Sequence, residues 1–238
     1  MTTARQAQKE SPWRIGMFAV LAFAVMVGAL SLPLLIRAYL FQPFNIPAGS
    51  MVPTLLVGDY LFVSKYAYAR LWGSVLTRGE VVAFLLPKDN STVYLKRVVG
   101  LPGDRIQMKQ GVLHINGVAV ARERMPDFVG EDPCGSGGVT KTKRWRETLP
   151  NGVSYEILDC VDNGFYDNTN LYTVPEGRIF MLGDNRDNST DSRVLSMIGY
   201  VPLENLVGRA GMIFFSSTVG ARGAPPGIRW GRIGMLVR

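Results

Sequence analysis

Residues 15–36, IGMFAVLAFAVMVGALSLPLLI, run for 22 positions without a charge. No other stretch limits the chain so strongly, because a helix of about 20 apolar residues matches the hydrocarbon thickness of a bilayer. Pro33 comes late in the run, where a kink is tolerable. A cleaved secretory leader is the competing reading, since Arg5, Lys9 and Arg14 precede the run. The stretch exceeds the roughly 7–15 residues of a leader's apolar region, and no short Ala-x-Ala site follows directly. The expectation is therefore one uncleaved transmembrane anchor at 15–36, with residues 1–14 in the cytoplasm. Arg37 weakens the orientation signal, but basic residues on the inner side place 38–238 outside.

Charge supports that division. The 238-residue chain carries a net +7, of which residues 1–37 hold +3 and residues 222–238 hold +4. The intervening body has 18 basic and 18 acidic side chains. A nucleic-acid-binding domain would carry its basic patch on the folded body; basic ends suit an anionic lipid surface better. The tail from Ile228 alternates arginine with Trp230, Ile233, Met235 and Leu236, as either a lipid-contacting segment or an ordinary surface tail would. With one histidine and two cysteines, a Cys/His zinc site is excluded. In an oxidising compartment Cys134 and Cys160 can pair, a loop closure contributing roughly 3–4 kcal/mol in the chain-entropy model.

After the anchor come short β-type runs: Tyr60–Ser64, Val81–Leu85, Val93–Val99, Arg105–Lys109, Val112–Ile115 and Val118–Val120. Asn116-Gly117 is a strong hairpin signal, and Leu101-Pro-Gly-Asp104 fits a type II turn. Residues 121–150 are charged and Gly-rich, with the basic run Lys141–Arg146, and read as a surface insertion. Strands resume near Val153–Leu158, Ile179–Leu182 and Ala210–Phe215. The expected fold is mostly β on one N-terminal helix. Its parts are a core over 37–120 and 161–221, an inserted subdomain over 121–160, and a basic tail over 222–238.

Ser50 sits between Pro47 and Pro53 on a corner that neither a helix nor a central strand accommodates. Capping of a turn would explain it. As a nucleophile it needs a base. The one histidine, His114, lies two residues before the Asn-Gly turn and reads as a hairpin residue. Lysine is the other established base for a serine. Lys96, in the apolar run Val93-Tyr-Leu-Lys-Arg-Val-Val99, fits best, on a strand face shared with Tyr94 and Val98. To be neutral its pKa must fall about three units from 10.4, which burial can supply. Snorkelling from a strand edge is the alternative, and Lys65 is the rival base. The segment Gly183–Arg193, GDNRDNSTDSR, is rich in Asp and Asn but lacks the Gly and Glu spacing of an EF-hand.

Pro47–Leu55, Arg78–Phe84, Lys96–Asp104 and Gly183–Arg193 resemble, in order, the motif boxes of the bacterial type I signal peptidases. The resemblance spans residues 44 to 193 and implies a membrane-anchored serine endopeptidase with a Ser/Lys dyad and no cofactor. It would remove signal peptides from exported preproteins at the outer face of the cytoplasmic membrane. By position, Ser50 would be the nucleophile and Lys96 the general base. Ser189 would orient the amine, Asp191 and Arg193 would form a supporting ion pair, and Asp184 would brace the same loop. Phe44, Ile46, Pro47, Leu55, Tyr94 and Leu95 would line shallow pockets for small residues at −1 and −3. Two departures stand out. Ala48 replaces a serine that some members use as an oxyanion donor, and there is one anchor helix where some have two. A narrow-substrate conjugative-transfer peptidase and an inactive membrane-anchored scaffold are the rival readings.

Overall fold

A computed structural model describes residues 12–65, 76–131, 133–135, 139–218 and 227–238. The chain divides into two compact units, 1–41 and 42–238. The first contains α1 (Pro12–Tyr39), which includes the uncharged run. Apart from Ser31, whose hydroxyl donates to the Gly28 carbonyl within the helix, its described side chains are apolar and exposed, with no polar face to turn to water. The side chains of 12, 14, 15, 19 and 33–39 lie outside the described set. Among the described residues no helix is long and apolar enough to cross a membrane.

The second unit is almost entirely β. Its strands are β1 (Phe41–Asn45), β2 (Asp59–Lys65), β3 (Val81–Leu85), β4 (Val93–Gly100), β5 (Arg105–Lys109), β6 (Val112–Ile115) and β7 (Val118–Ala119). They are followed by β8 (Ala121–Glu131), β9 (Val139–Thr148), β10 (Ser154–Asp159), β11 (Tyr172–Thr173), β12 (Arg178–Leu182), β13 (Val201–Pro202) and β14 (Leu206–Ser216). A seven-stranded sheet has the order β1-β2-β14-β3-β4-β12-β13. A four-stranded sheet, β11-β5-β6-β7, and a three-stranded one, β10-β9-β8, complete the unit. The turn chemistry behaves as the residues dictate. Asn116 and Gly117 both take positive φ, the geometry of a type I′ hairpin, and Gly103 does so after Pro102.

Apolar side chains from the sheets build three clusters. One, under β1 and β2, gathers Ile46, Met51, Leu55, Leu61, Val63 and Val237 beside Phe44 and Leu95. A second lies between β5–β6 and β12. The third joins β3, β4 and β12 through Val82, Phe84, Val98 and Met181.

Two segments hold more regular structure than their sequence signals indicated. Within 121–150, read as a surface insertion, β8 and β9 pair along nearly their whole lengths, interrupted by one bulge between Met125 and Phe128. Charge on both faces hid the alternation. Arginine guanidinium groups lie over an aromatic ring there, with Arg122 Cζ 4.2 Å and Arg124 Cζ 5.5 Å from the Trp145 ring. The segment from Ile228 is also tied to the sheet, although Trp230, Met235 and Leu236 stay exposed. Its backbone bonds to β14 at Gly211 and Ile213, and Val237 enters the core. Arg232 pairs with the fully buried Asp59 at 2.5 Å, and Arg229 donates to Ser216 Oγ beside it at 2.9 Å.

Candidate active site

The corner around Ser50 is short and tightly held. Ala48 is extended, and Gly49–Met51 then make a single 3₁₀ turn closed by the Val52 N–H on Gly49 O. Met51 and Leu55, which follow Ser50, plug into the core, so the turn that carries the hydroxyl is anchored by buried neighbours. Opposite lies β4, bonded to β3 with Lys96 facing Val82. Lys96 and Arg97 are consecutive on this strand, so one points to the groove and the other to the underside.

Lys96 Nζ lies 2.5 Å from Ser50 Oγ. The lysine is 2 % exposed. Burial is the largest influence on its amine and lowers its pKa from 10.5 to about 8, against the attraction of Asp191 and Asp184 and with the help of Arg193. Tyr94 borders the amine, with its ring centroid 5.9 Å from Nζ. Among the described ion pairs Lys96 has none; its close polar neighbour is a hydroxyl.

The third element is the loop after β12. Asp191 is buried and receives Arg193 through two bonds of 2.8 Å, and a third bond comes from the Gly183 N–H. Burial pushes the Asp191 carboxyl up, but Arg193 and the Gly183 N–H outweigh it and hold it below the usual range. Asp184 takes a fork of bonds from Arg97, at 2.7 and 2.6 Å, and one from Thr54 Oγ1 at 2.5 Å. Ser189 is buried too, yet its hydroxyl has no hydrogen-bond partner among the described residues. The expected Ser189–Lys96 bond is therefore not made here. Gly183 explains how close the parts come. A Cβ there would stand 2.1 Å from Ser189 Oγ and 2.6 Å from the Ser50 carbonyl, contacts that only glycine avoids.

A groove of about 540 Å³ runs past the dyad. Phe44, Ile46 and Pro47 form one wall and Tyr94 and Leu95 the other, with Asn188 and Thr190 at the end. Of the pocket residues expected from sequence, Leu55 is not among the groove lining; it is fully buried in the core cluster with Ile46 and Met51. Lys65 ends β2, which β14 and β3 separate from β4, and it does not line the groove either. His114 sits in the four-stranded sheet with Nδ1 3.0 Å from Val112 O. Cys134 and Cys160 are disulfide-bonded.

Sequence reasoning missed Arg97, Thr54 and Asn185. Arg97 had a usable signal: a cation inside an apolar strand needs a partner, and alternation sets it on the face opposite Lys96. It is fully buried on Asp184, the Gly79 carbonyl and the Tyr155 ring. Thr54 and Asn185 had none, because their partners are far away in the chain.

Residues 16–215 match the family described as signal peptidase, peptidase S26. Signal peptidase I of Rickettsia typhi is 38 % identical over 220 residues, covering 83 % of this chain and 80 % of that protein. The chain belongs to the signal peptidase family S26. Signal peptidase I of Rickettsia prowazekii, at 37 % over 225 residues, covers 85 % of this chain and 80 % of its own. A solved signal peptidase I from Enterococcus faecalis shares 25 % identity, covering 57 % of this chain and 96 % of that one, with a TM-score of 0.34. The S26 assignment makes the chain a serine endopeptidase of mostly β fold, and the match takes in the Ser50 corner, β4 and the loop after β12.

Proposed function

We propose that this S26 peptidase removes signal peptides from exported preproteins with Ser50 as nucleophile and Lys96 as general base. One observation carries the reading: a buried amine without a carboxylate partner lies 2.5 Å from the hydroxyl. With its pKa near 8, about a tenth of Lys96 is neutral at pH 7. The neutral amine takes the Ser50 proton as Oγ attacks the scissile carbonyl, then passes it to the leaving amine. An acyl-enzyme remains, and the same amine draws a proton from water to release it. The Ser50 backbone N–H offers the oxyanion one donor; Ala48 adds no hydroxyl.

The extended substrate lies along the groove, where strand-like pairing binds it and the walls admit small residues at −3 and −1. Asp191 and Arg193 stiffen the loop that carries Ser189, and Asp184 ties that loop to β4 and Thr54. Ser189, buried and with its hydroxyl without a hydrogen-bond partner among the described residues, is the group proposed to orient the amine.

The uncharged run in α1 supports a single anchor in the cytoplasmic membrane, with the catalytic unit on its outer side. The sheet β8–β10 corresponds to the inserted subdomain read at 121–160. The test is cleavage in vitro of a preprotein with an Ala-x-Ala site, the new N-terminus being read by mass. Ser50→Ala and Lys96→Met should each leave the precursor intact while their circular dichroism matches wild type. Cleavage by Lys96→Met at the normal rate would end the assignment.

A further inference from the structure

Asn185 touches more of the site than any role given it so far explains. It is fully buried. Its backbone N–H donates to the Ser50 carbonyl at 3.1 Å, and its side-chain amide donates to the Gly49 carbonyl at 3.1 Å. The same amide also donates to Pro133 O, which accepts a second bond from Asn188 Nδ2 at 3.0 Å. Pro133 precedes Cys134. The other half of the disulfide, Cys160, holds the same loop from its far side, since the N–H groups of Cys160 and Val161 donate to Asp187 Oδ2 at 2.7 and 3.0 Å. Between these grips Leu158 exchanges backbone bonds with Asp184 and Arg186, at 2.9 and 3.0 Å.

We propose that the Cys134–Cys160 disulfide is a brace for the nucleophile, acting through Asn185 as a positioning residue. The inference rests on the Ser50/Lys96 reading. An amide bonded to two carbonyls has no freedom to turn, so the place of Pro133 O fixes the side chain of Asn185. That side chain, with its own backbone N–H, fixes the carbonyls of Gly49 and Ser50 on either side of the nucleophile's Cα. Without the cross-link, Pro133 is tied to the loop only by side-chain bonds. The corner then gains freedom in the one dimension that matters, the separation of Ser50 Oγ and Lys96 Nζ. A chain-entropy role alone would change stability and leave the turnover of folded molecules untouched.

The experiment uses the full chain in detergent with a preprotein substrate, comparing wild type, the double variant Cys134→Ser/Cys160→Ser, Asn185→Ala and the triple combination. The disulfide-free protein is expected to lose between about 10- and 100-fold in kcat. KM should stay within about twofold, and the acid limb of the pH profile should still lie near 8. Asn185→Ala should lose as much, and the triple variant no more than either, because both changes cut one connection. Wild-type kcat in folded disulfide-free protein, or losses that multiply in the triple variant, would overturn the brace. Should the double variant not fold, Asn185→Ala and the exposed Asn188→Ala decide with both cysteines intact: unchanged kcat in both rejects it. Persistent cleavage by Ser50→Ala would instead strike the dyad, a result these variants cannot imitate.

Discussion

Lys96 and Arg97 are consecutive cations on one strand, both buried, and the two faces of β4 treat them in opposite ways. On the underside, Asp184 grips Arg97 in a fork, and the Gly79 carbonyl, Thr54 and the Tyr155 ring complete its surroundings. Burial disfavours that charge, but Asp184 outweighs it and the guanidinium's pKa rises. On the groove face Asp191 and Asp184 attract Lys96 only from a distance, and burial wins. Burial is common to both, so the intrinsic basicity of each group and the placement of the carboxylate decide together. A buried guanidinium keeps its charge and Asp184 compensates it; a buried amine without a paired carboxylate can give up its proton, as the proposed base must.

The sharpest way to break this contrast is to delete the proposed base. Ser50→Ala and Lys96→Met should each reduce cleavage by roughly 10⁴-fold or more, and Lys96→Arg should fare no better because a guanidinium does not deprotonate. Stability separates Lys96→Met from a folding defect. The folded pKa of about 8 lies below the unfolded value of 10.5, so the unfolded state binds more protons between those limits. The lysine therefore destabilises the fold fully below pH 8, and the penalty is relieved as pH rises from about 8 to 10.5. Lys96→Met should then raise the melting temperature at pH 7 while abolishing activity. A lower melting temperature in an inactive variant would refute the account of a strained amine.

Gly183→Ala comes next. Its methyl group would meet Ser189 Oγ at 2.1 Å and the Ser50 carbonyl at 2.6 Å, and the carbonyl is backbone that cannot step aside cheaply. The loop must retreat from the dyad, at a cost near 100-fold in kcat for a shift approaching 1 Å. Unaltered kcat in a folded Gly183→Ala enzyme would show that the groove face has slack.

The pH profile probes the groove face without mutation. Activity follows the neutral amine, so kcat/KM should fall about tenfold per pH unit below 8 and level off above it. A limb near the ordinary carboxylate range, or none, would mean that the titrating base is not Lys96.

How much of this could be read from the chain divides along similar physical lines. The prolines around Ser50, a lysine inside an apolar run and the Asp/Asn-rich loop are local chemistry, and each lies in the site where the structure brings them together. Strand boundaries followed the apolar runs and alternation closely, from Val81–Leu85 to Val112–Ile115. Leu55 was expected at the groove but is buried in the core, because a residue near a nucleophile can face either, and its local sequence does not say which. The β8–β9 strands were missed because charged residues fill both faces there and guanidinium groups stack on the Trp145 ring where an apolar face would be expected. Arg232 on Asp59, 173 residues apart, had no local trace at all.

The smallest effect on catalysis should come from the underside, which is what the contrast most needs tested. Asp184→Asn keeps the shape of the side chain but leaves Arg97 buried without its counter-charge. Breaking such a pair costs on the order of 3–5 kcal/mol of stability, visible as a lower denaturation midpoint. Arg97→Met alone should also destabilise, because it strands the Asp184 carboxylate, whereas the double variant Arg97→Met/Asp184→Asn should recover part of the loss. Replacing a buried pair together avoids leaving a lone charge. Through all three, kcat in the folded fraction should stay within about threefold, since burial and then Asp191 weigh more on the Lys96 amine than Asp184 does, and the Asp191–Arg193 pair still holds the loop. If the double variant instead lost 100-fold in kcat at full folding, Arg97 and Asp184 would be holding the amine in place, and the two faces of β4 would have to be understood as one device.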